Sequence, residues 1–436
     1  MLQTFPEILE PAESFTHINL TNTAIKDLPS SLEHLVGLQR LKLKLCSNLV
    51  SLPNSIVKLS LLSHLDCSGC CRLTEIPNNI GCLSSLTELS LQGSSIVNLP
   101  ESMVHLSVLK SLDLTDCKRL AVPNNIGCLS SLTKLSLEGS SIVNLPESMA
   151  HLSSLKSLNL SGCKLLESVL KLPPNLNQVS AFDCPSIKKM VLNSRSNSRE
   201  GIFKFHLTNN QEIDAAFWSN IGEEVCIKIT DKAYWPVVFC FPGSVVPRWF
   251  HYCCKGHSVT MEKVSPNLLI GFALCVVLGP EEDMYAMRIG KARVMYKFGF
   301  ISDGEMYSYD HCYMPEGISN WSSQDRFINQ DHTLIWKHQL NLRIDMERFH
   351  DAHSFTFEIL DDDDDEPCFL TRIQSSTVKE CGICPLYIRK KYDDSDHDES
   401  FFSPRIQSST VKECGISSLH TEKNDDDEPF LPTLIF

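Results

Sequence analysis

Cys67, Cys70 and Cys71, with Cys46 upstream, are the side chains of this sequence best suited to chemistry, because thiolates at such spacing ligate zinc. A structural zinc site also needs a second C-x-x-C or a His pair at finger spacing, and none follows. Cys381 and Cys384 form an isolated C-x-x-C, a weak redox or metal signal on its own. Asp361 to Asp365 with Glu366 would attract calcium, yet the run lacks the glycine and the terminal glutamate of an EF-hand loop and reads as a solvated loop. His311 and Cys312 are sequence neighbours, and adjacent strand residues point to opposite faces, so they do not read as a nucleophile and its base. No G-x-S-x-G, H-E-x-x-H or G-x-x-x-x-G-K-[ST] occurs. The expectation is a protein with no catalytic residues, no cofactor and no metal.

A repeat explains the cysteines better. From Phe15 onward, L-x-x-L-x-L-x-x-C/x-x-x-L-x-x-L-P-x-x-I-x-x-L recurs with leading residues Phe15, Leu38, Leu62, Leu86, Leu109, Leu132, Leu155 and Leu176. The steps between them are 23, 24, 24, 23, 23, 23 and 21 residues, the period of a leucine-rich solenoid. Each unit has too little apolar surface to fold alone, and stacking buries one continuous core. Within L-x-x-L-x-L, pairs such as Leu41/Leu43, Leu89/Leu91 and Leu135/Leu137 face inward and the x positions face out. Cys46, Cys70, Cys117, Cys163 and Cys184 sit three residues past the last strand apolar, where a thiol can meet backbone carbonyls. Gly93–Ser95 and Gly139–Ser141 carry Gly-Ser-Ser instead. Pro29, Pro53, Pro77, Pro100, Pro123 and Pro146 fix φ on the convex side. Leu120-Ala121-Val122-Pro123 is a residue short, which predicts a local kink.

The fold class expected is mainly β with short helical or irregular convex turns: a solenoid, then an antiparallel sandwich, then an acidic disordered tail. The solenoid is placed at 1–192 with seven or eight repeats, and the polar NSRSNSRE marks a linker at 193–200. The second domain, 201–392, contains short β-rich runs such as Glu224–Thr230, Val237–Phe241, Leu268–Val277, Lys291–Gly299 and Ser354–Leu360. Beyond it, 393–436 is acidic, low in apolar content and expected to be disordered. That tail repeats an earlier stretch: IQSSTVKECGI at Ile373–Ile383 recurs at Ile406–Ile416 and reads there as a spare strand, a liability for aggregation unless it docks.

The net charge of −14 disfavours nucleic acid and anionic membranes as partners. It is concentrated late: from Ile359 onward there are 18 acidic and 8 basic residues, against 15 and 14 up to Lys188. The opening MLQTFPEILEPAES lacks a basic start and an apolar run, and the longest apolar run, Asn267 to Gly279, is too short for a membrane helix and reads as a buried strand. Nineteen cysteines then read as reduced thiols in a cytosolic or nuclear compartment, and the sequons at Asn19, Asn159 and Asn320 as chance matches.

Three later motifs narrow the class. Phe241–Phe250 reads FPGSVVPRWF, Leu269–Leu278 reads LIGFALCVVL, and Val378–Tyr387 reads VKECGICPLY. Following repeats with L-P-x-x-I and a ladder cysteine, they resemble the C-terminal jelly-roll/Ig-like domain of plant intracellular immune receptors of the Toll/interleukin-receptor-like nucleotide-binding leucine-rich-repeat class. The resemblance covers roughly residues 1 to 392. It implies recognition of a pathogen effector or host protein, with NAD hydrolysis and oligomerisation belonging to domains absent here. QTFPEILEPAESFTHINL resembles the middle of a longer array, so a truncated adaptor, a decoy or an inactive fragment is the alternative. Trp249 and Phe250 are read as core.

Outward strand positions supply the candidate protein-binding residues: Arg40, Lys42, Lys44, His64, Asp66, Glu88, Asp113, Lys134 and Glu138. Arg40, Lys42 and Lys44 make the one basic cluster, while Asp113, Asp116 and Glu138 form its acidic counterpart.

Overall fold

The computed structural model describes residues 2–169, 172–190, 201–207, 225, 228–229, 234–262, 269–279, 292–302, 304–313, 331–339, 352, 354–360, 371–372 and 377–387. Asp361–Glu366, Asn320, the 193–200 linker and the 393–436 tail with its spare strand lie outside the described residues.

Each solenoid turn begins with a three-residue strand of one parallel sheet. The solenoid strands are β1 (His17–Asn19), β2 (Arg40–Lys42), β3 (His64–Asp66), β4 (Glu88–Ser90), β5 (Ser111–Asp113), β6 (Lys134–Ser136), β7 (Ser157–Asn159), β8 (Ser168–Val169), β9 (Gln178–Ser180) and β10 (Lys189–Met190). Of these, β8 and β10 pair with each other in a separate two-stranded sheet later in their turns. In β2 the pattern is exposed, buried, exposed at Arg40, Leu41 and Lys42, as strand alternation over a one-sided core requires. Three residues past the end of each concave strand the backbone enters the left-handed region, at Asn22, Leu45, Gly69, Gly93, Asp116, Gly139, Gly162 and Asp183. That bend brings the ladder residue under the sheet. Cys46, Cys70, Cys117, Cys163 and Cys184 are buried, and their Sγ atoms donate at 3.1 Å to the carbonyls of Leu20, Leu43, Leu91, Leu137 and Leu160. The two Gly-Ser-Ser turns put Ser94 and Ser140 in the same column, 3.5 and 3.3 Å from Cys117 and Cys163.

On the convex side short 3₁₀ helices carry the return. Pro29, Pro53, Pro100 and Pro146, with φ between −59 and −69, lead into Ser30–His34, Asn54–Lys58, Glu101–His105 and Glu147–His151. The register Ser90↔Asp113↔Ser136 runs through the short turn at Leu120–Pro123 without a shift, and Ala121 still bridges Asn98. The expected kink leaves no break in the pairing.

The second unit contributes β11 (Gly201–His206), β12 (Tyr234–Pro242), β13 (Tyr252–Lys255), β14 (Ser258–Glu262), β15 (Leu269–Leu278), β16 (Ala292–Ser302), β17 (Glu305–Tyr313), β18 (His332–Gln339), β19 (Ser354–Ile359), β20 (Thr371–Arg372) and β21 (Val378–Tyr387). The strand order is β1 to β7, β9, β11, β12, β18, β15, β21, β13 in one sheet and β14, β19, β16, β17 in another, with β20 beside β16. The solenoid sheet therefore continues into the second unit. β11 pairs in parallel with β9 through Phe205↔Val179 and with β12 through Phe205↔Phe239. The core follows, since Phe205, Phe239, Phe241, Ala273 and Cys275 belong to the same apolar cluster as the solenoid leucines.

The other face of β12, β15 and β18 meets the second sheet. Val238, Phe272, Leu274, Val276 and Trp336 share a core with Met261, Phe298, Phe300, Phe355 and Phe357. Phe272 lies 4.8 Å from Phe298 and 4.9 Å from Phe355, ring centre to ring centre. β15 is thus apolar on both faces, which is why its sequence runs without alternation. One expected strand is corrected: within Glu224–Thr230, Val225, Lys228 and Ile229 lie on helical backbone and are buried. Their i, i+3, i+4 spacing is that of a helix face.

Candidate functional site

The outward strand positions form two registered rows across the sheet. Arg40, His64, Glu88, Ser111 and Lys134 are consecutive partners in one, and Lys42, Asp66, Ser90, Asp113 and Ser136 in the other. With neighbouring strands about 4.8 Å apart, each row spans about 20 Å from β2 to β6. Arg40, Lys42, Lys44, Glu88 and Lys134 are exposed, while His64, Asp66 and Asp113 are half-buried. Arg40, Lys42 and Lys44 make no ion pair with another described residue, so their charge faces solvent. His64 Nε2 lies 3.4 Å from Glu88 Oε1 across β3 and β4.

Beyond Lys134 most of the face closes, with Gln178 on β9 half-buried. Ser136, Ser157, Asn159, Ser161 and Ser180 are buried although they occupy outward positions. Glu138 is buried too, and its Oε2 accepts a hydrogen bond from Asn159 Nδ2 at 2.7 Å. Its expected place in an exposed acidic patch is therefore corrected: Asp113 and Asp116 remain accessible, and Glu138 is committed internally. The sequence carries a signal for this. Outward residues change from charged in β2 to β4 to small and polar in β7 and β9.

Asp66 and Asp113 also have a local task. Asp66 Oδ1 accepts Ser68 N–H at 3.0 Å and the Ser68 hydroxyl, and Asp113 Oδ1 accepts Thr115 N–H at 3.0 Å. Asn19 and Asn159 do the same for Thr21 and Ser161 at 3.0 Å. These are Asx turns that end the strand. They give the sequon patterns at Asn19 and Asn159 a physical origin in turn geometry.

The cysteine clusters resolve into structural thiols. Cys67 and Cys70 are buried behind β3, and Cys71 is exposed with Sγ 3.8 Å from the Ser47 carbonyl. Burial, reinforced by neighbouring thiols, pushes the Cys70 thiol up to about 12. Cys381 and Cys384 lie on opposite faces of β21, in different cores. Phe250 is buried, and Trp249 packs partly buried against the solenoid-side core with the two rings 4.1 Å apart.

One cluster had no signal in the sequence. His338 is buried between the sheets, with Nδ1 2.9 Å from the Tyr296 hydroxyl and its ring 4.7 Å from that of His311. Burial first, then the neighbouring His311, lowers its pKa to about 3. Long-range pairing alone brings these residues together. Among the described residues no helix is long and apolar enough to cross a membrane.

Two family models match the chain. A leucine-rich repeat region matches residues 69–171, and a C-JID domain matches residues 241–424. The disease resistance-like protein CSA1 of Arabidopsis thaliana is 29% identical over 188 residues, which cover 39% of this chain and 15% of that protein. The chain thus spans a small part of the length of that relative. Among solved structures, the leucine-rich repeat domain of the type III effector XopL is 24% identical, covers 44% of this chain and 60% of its own, and has a TM-score of 0.31. The ectodomain of the plant membrane receptor kinase GASSHO1/SCHENGEN3 from Arabidopsis thaliana is 22% identical, with coverages of 48% and 32% and a TM-score of 0.27.

Proposed function

From a chain that carries the leucine-rich-repeat and C-JID parts of a plant immune receptor, we propose a non-catalytic recognition module that binds a protein, either a pathogen effector or a host partner, through the open half of its repeat sheet. The observation that carries the reading is the split of the concave face. Charged side chains that pair with no described residue stand open on β2, while Ser157 and Asn159 on β7 and Ser180 on β9 are buried. Arg40, Lys42 and Lys44 suit an acidic patch on the partner, and Glu88, Asp113 and Asp116 suit a basic one about two to three strands away. The second unit, read as a sandwich of jelly-roll/Ig-like type, holds the closed half and adds its own loops. The reading places the protein inside the cell.

The test is a binding screen of secreted pathogen proteins against the purified chain, followed by charge reversal. Arg40→Glu with Lys42→Glu is expected to weaken a positive interaction at least tenfold, while Lys58→Glu on the convex side leaves it unchanged. A partner lost on convex reversal and kept on concave reversal refutes the assignment.

A further inference from the structure

The eleven residues Ile373–Ile383 recur unchanged at Ile406–Ile416, and the first copy contains the start of β21. Several of the contacts that hold β21 lie within the repeated stretch. Lys379 Nζ donates to both carboxylate oxygens of Asp331, at 2.7 and 2.8 Å. Glu380 Oε2 accepts Val246 N–H at 3.2 Å, and the Thr377 carbonyl accepts Gly279 N–H at 3.0 Å. Gly382 has no room for a side chain, since a Cβ there would lie 2.9 Å from Val246 Cγ1. Their counterparts Thr410, Lys412, Glu413 and Gly415 are identical.

The pairing divides at the end of the repeat. Every β13 partner on β21 falls inside it: Tyr252↔Ile383, Cys253↔Gly382, Cys254↔Cys381 and Lys255↔Glu380. β15 also pairs with Cys384, Pro385, Leu386 and Tyr387, which lie past it. The second copy continues there as Ser417-Ser418-Leu419-His420. The C-JID match, 241–424, spans both copies.

We propose that residues 406–416 supply a second closing strand, able to displace Val378–Ile383 of the same chain from β13 and the adjoining half of β15. Among the described strands β21 has only the four-residue edge strand β13 outside it, so exchange at that end opens little of the sheet. The second copy is the minor occupant for two reasons. It cannot supply the apolar partners of Ala273 and Phe272, and it lengthens the connection from Ile359 from 18 to 51 residues. Loop-closure statistics alone set that second handicap at about fivefold.

Cys254 reports which copy is in place, because it faces Cys381 in one arrangement and Cys414 in the other. The experiment uses the full chain with Cys253→Ser, oxidised by diamide, which takes one hydrogen from each thiol as the S–S bond forms. Tryptic peptides Glu380–Arg389 and Glu413–Lys423 distinguish the two links by mass. In the parent, the Cys254–Cys381 link is expected to dominate. Gly382→Leu, which blocks the first copy against Val246, is expected to raise the share of the Cys254–Cys414 link at least fivefold, and Gly415→Leu to abolish it. As an independent readout, deleting 401–436 is expected to lower the melting temperature of Gly382→Leu far more than that of the parent. The proposal is overturned if Gly382→Leu yields no Cys254–Cys414 link and the deletion costs both backgrounds the same. It is also overturned if mixed isotope-labelled chains show that the link forms only between chains.

Discussion

Changing Cys117 to alanine and, separately, to serine distinguishes two accounts of the cysteine ladder. Cys117 is fully buried, with Sγ 3.1 Å from the Leu91 carbonyl and 3.5 Å from Ser94 Oγ. Burial raises its pKa, which keeps on the sulfur the proton that the hydrogen bond uses. The Leu91 carbonyl also accepts Ser94 N–H at 3.1 Å, so losing the thiol does not leave that oxygen unpaired. Alanine then removes a weak hydrogen bond, about 0.5–1 kcal/mol. It also leaves a void the size of one sulfur, about 1 kcal/mol more. Serine keeps a donor between two acceptors and is expected to cost about 1 kcal/mol or less, offsetting hydroxyl burial by the retained bond. Ser94 and Ser140 already occupy this column. The expected order of stability is wild type, serine, alanine, read from urea unfolding followed by circular dichroism. A thiol acting only as apolar filler gives the reverse order for the two variants. A serine variant less stable than the alanine variant therefore refutes the donor account.

Three further outcomes follow from the same geometry. Leu45 sits at φ 60 with half its surface exposed, where other turns use Gly, Asn or Asp; Leu45→Asn is expected to raise stability by about 1 kcal/mol in urea melts by relieving left-handed strain. Asp66→Asn keeps the acceptor for Ser68 and is expected to change stability by less than about 0.5 kcal/mol, whereas Asp66→Lys removes it and costs about 1–2 kcal/mol, measured the same way. His338 is held neutral in the fold, with a pKa of about 3 against 6.5 when exposed. Its contribution is complete above pH 6.5 and is lost as pH falls from 6.5 toward 3, with a slope of up to about 1.4 kcal/mol per pH unit. His338→Gln is expected to flatten that part of the stability profile, and an unchanged slope would contradict the assignment.

Local periodicity made the solenoid legible. Inward leucines, ladder thiols and convex prolines each follow from spacing, because every repeat contacts chiefly its neighbours. What escaped the sequence depends on longer reach. β11 joins β9 in parallel only because Phe205 finds Val179 and Phe239, and nothing in GIFKFH names those partners. The β-branched run at Glu224–Thr230 suggested a strand, while Val225, Lys228 and Ile229 answer to a helix face buried in the tertiary core. Of the candidate binding residues, Glu138 could not be separated from Asp113 by charge alone. Its burial depends on what covers β7 and β9. The recurring Asn/Asp-x-Ser/Thr at Asn19, Asp66, Asp113 and Asn159 was readable as a turn signal, and its regular spacing is the evidence.

The junction bears on how recognition in one unit is felt in the other. A solenoid ends in an open apolar face unless something caps it. Here the cap is a strand of the next unit, and Phe205 packs 5.6 Å from Phe241 and 6.2 Å from Phe239 beneath it. All three are fully buried. Burying a side chain of this size is worth about 2–3 kcal/mol, so parting β9 from β11 would forfeit several kcal/mol before any backbone hydrogen bond is counted. The two units therefore do not behave as beads on a flexible string. Under the proposed reading, a protein seated on the exposed charged rows meets the second unit in a set orientation.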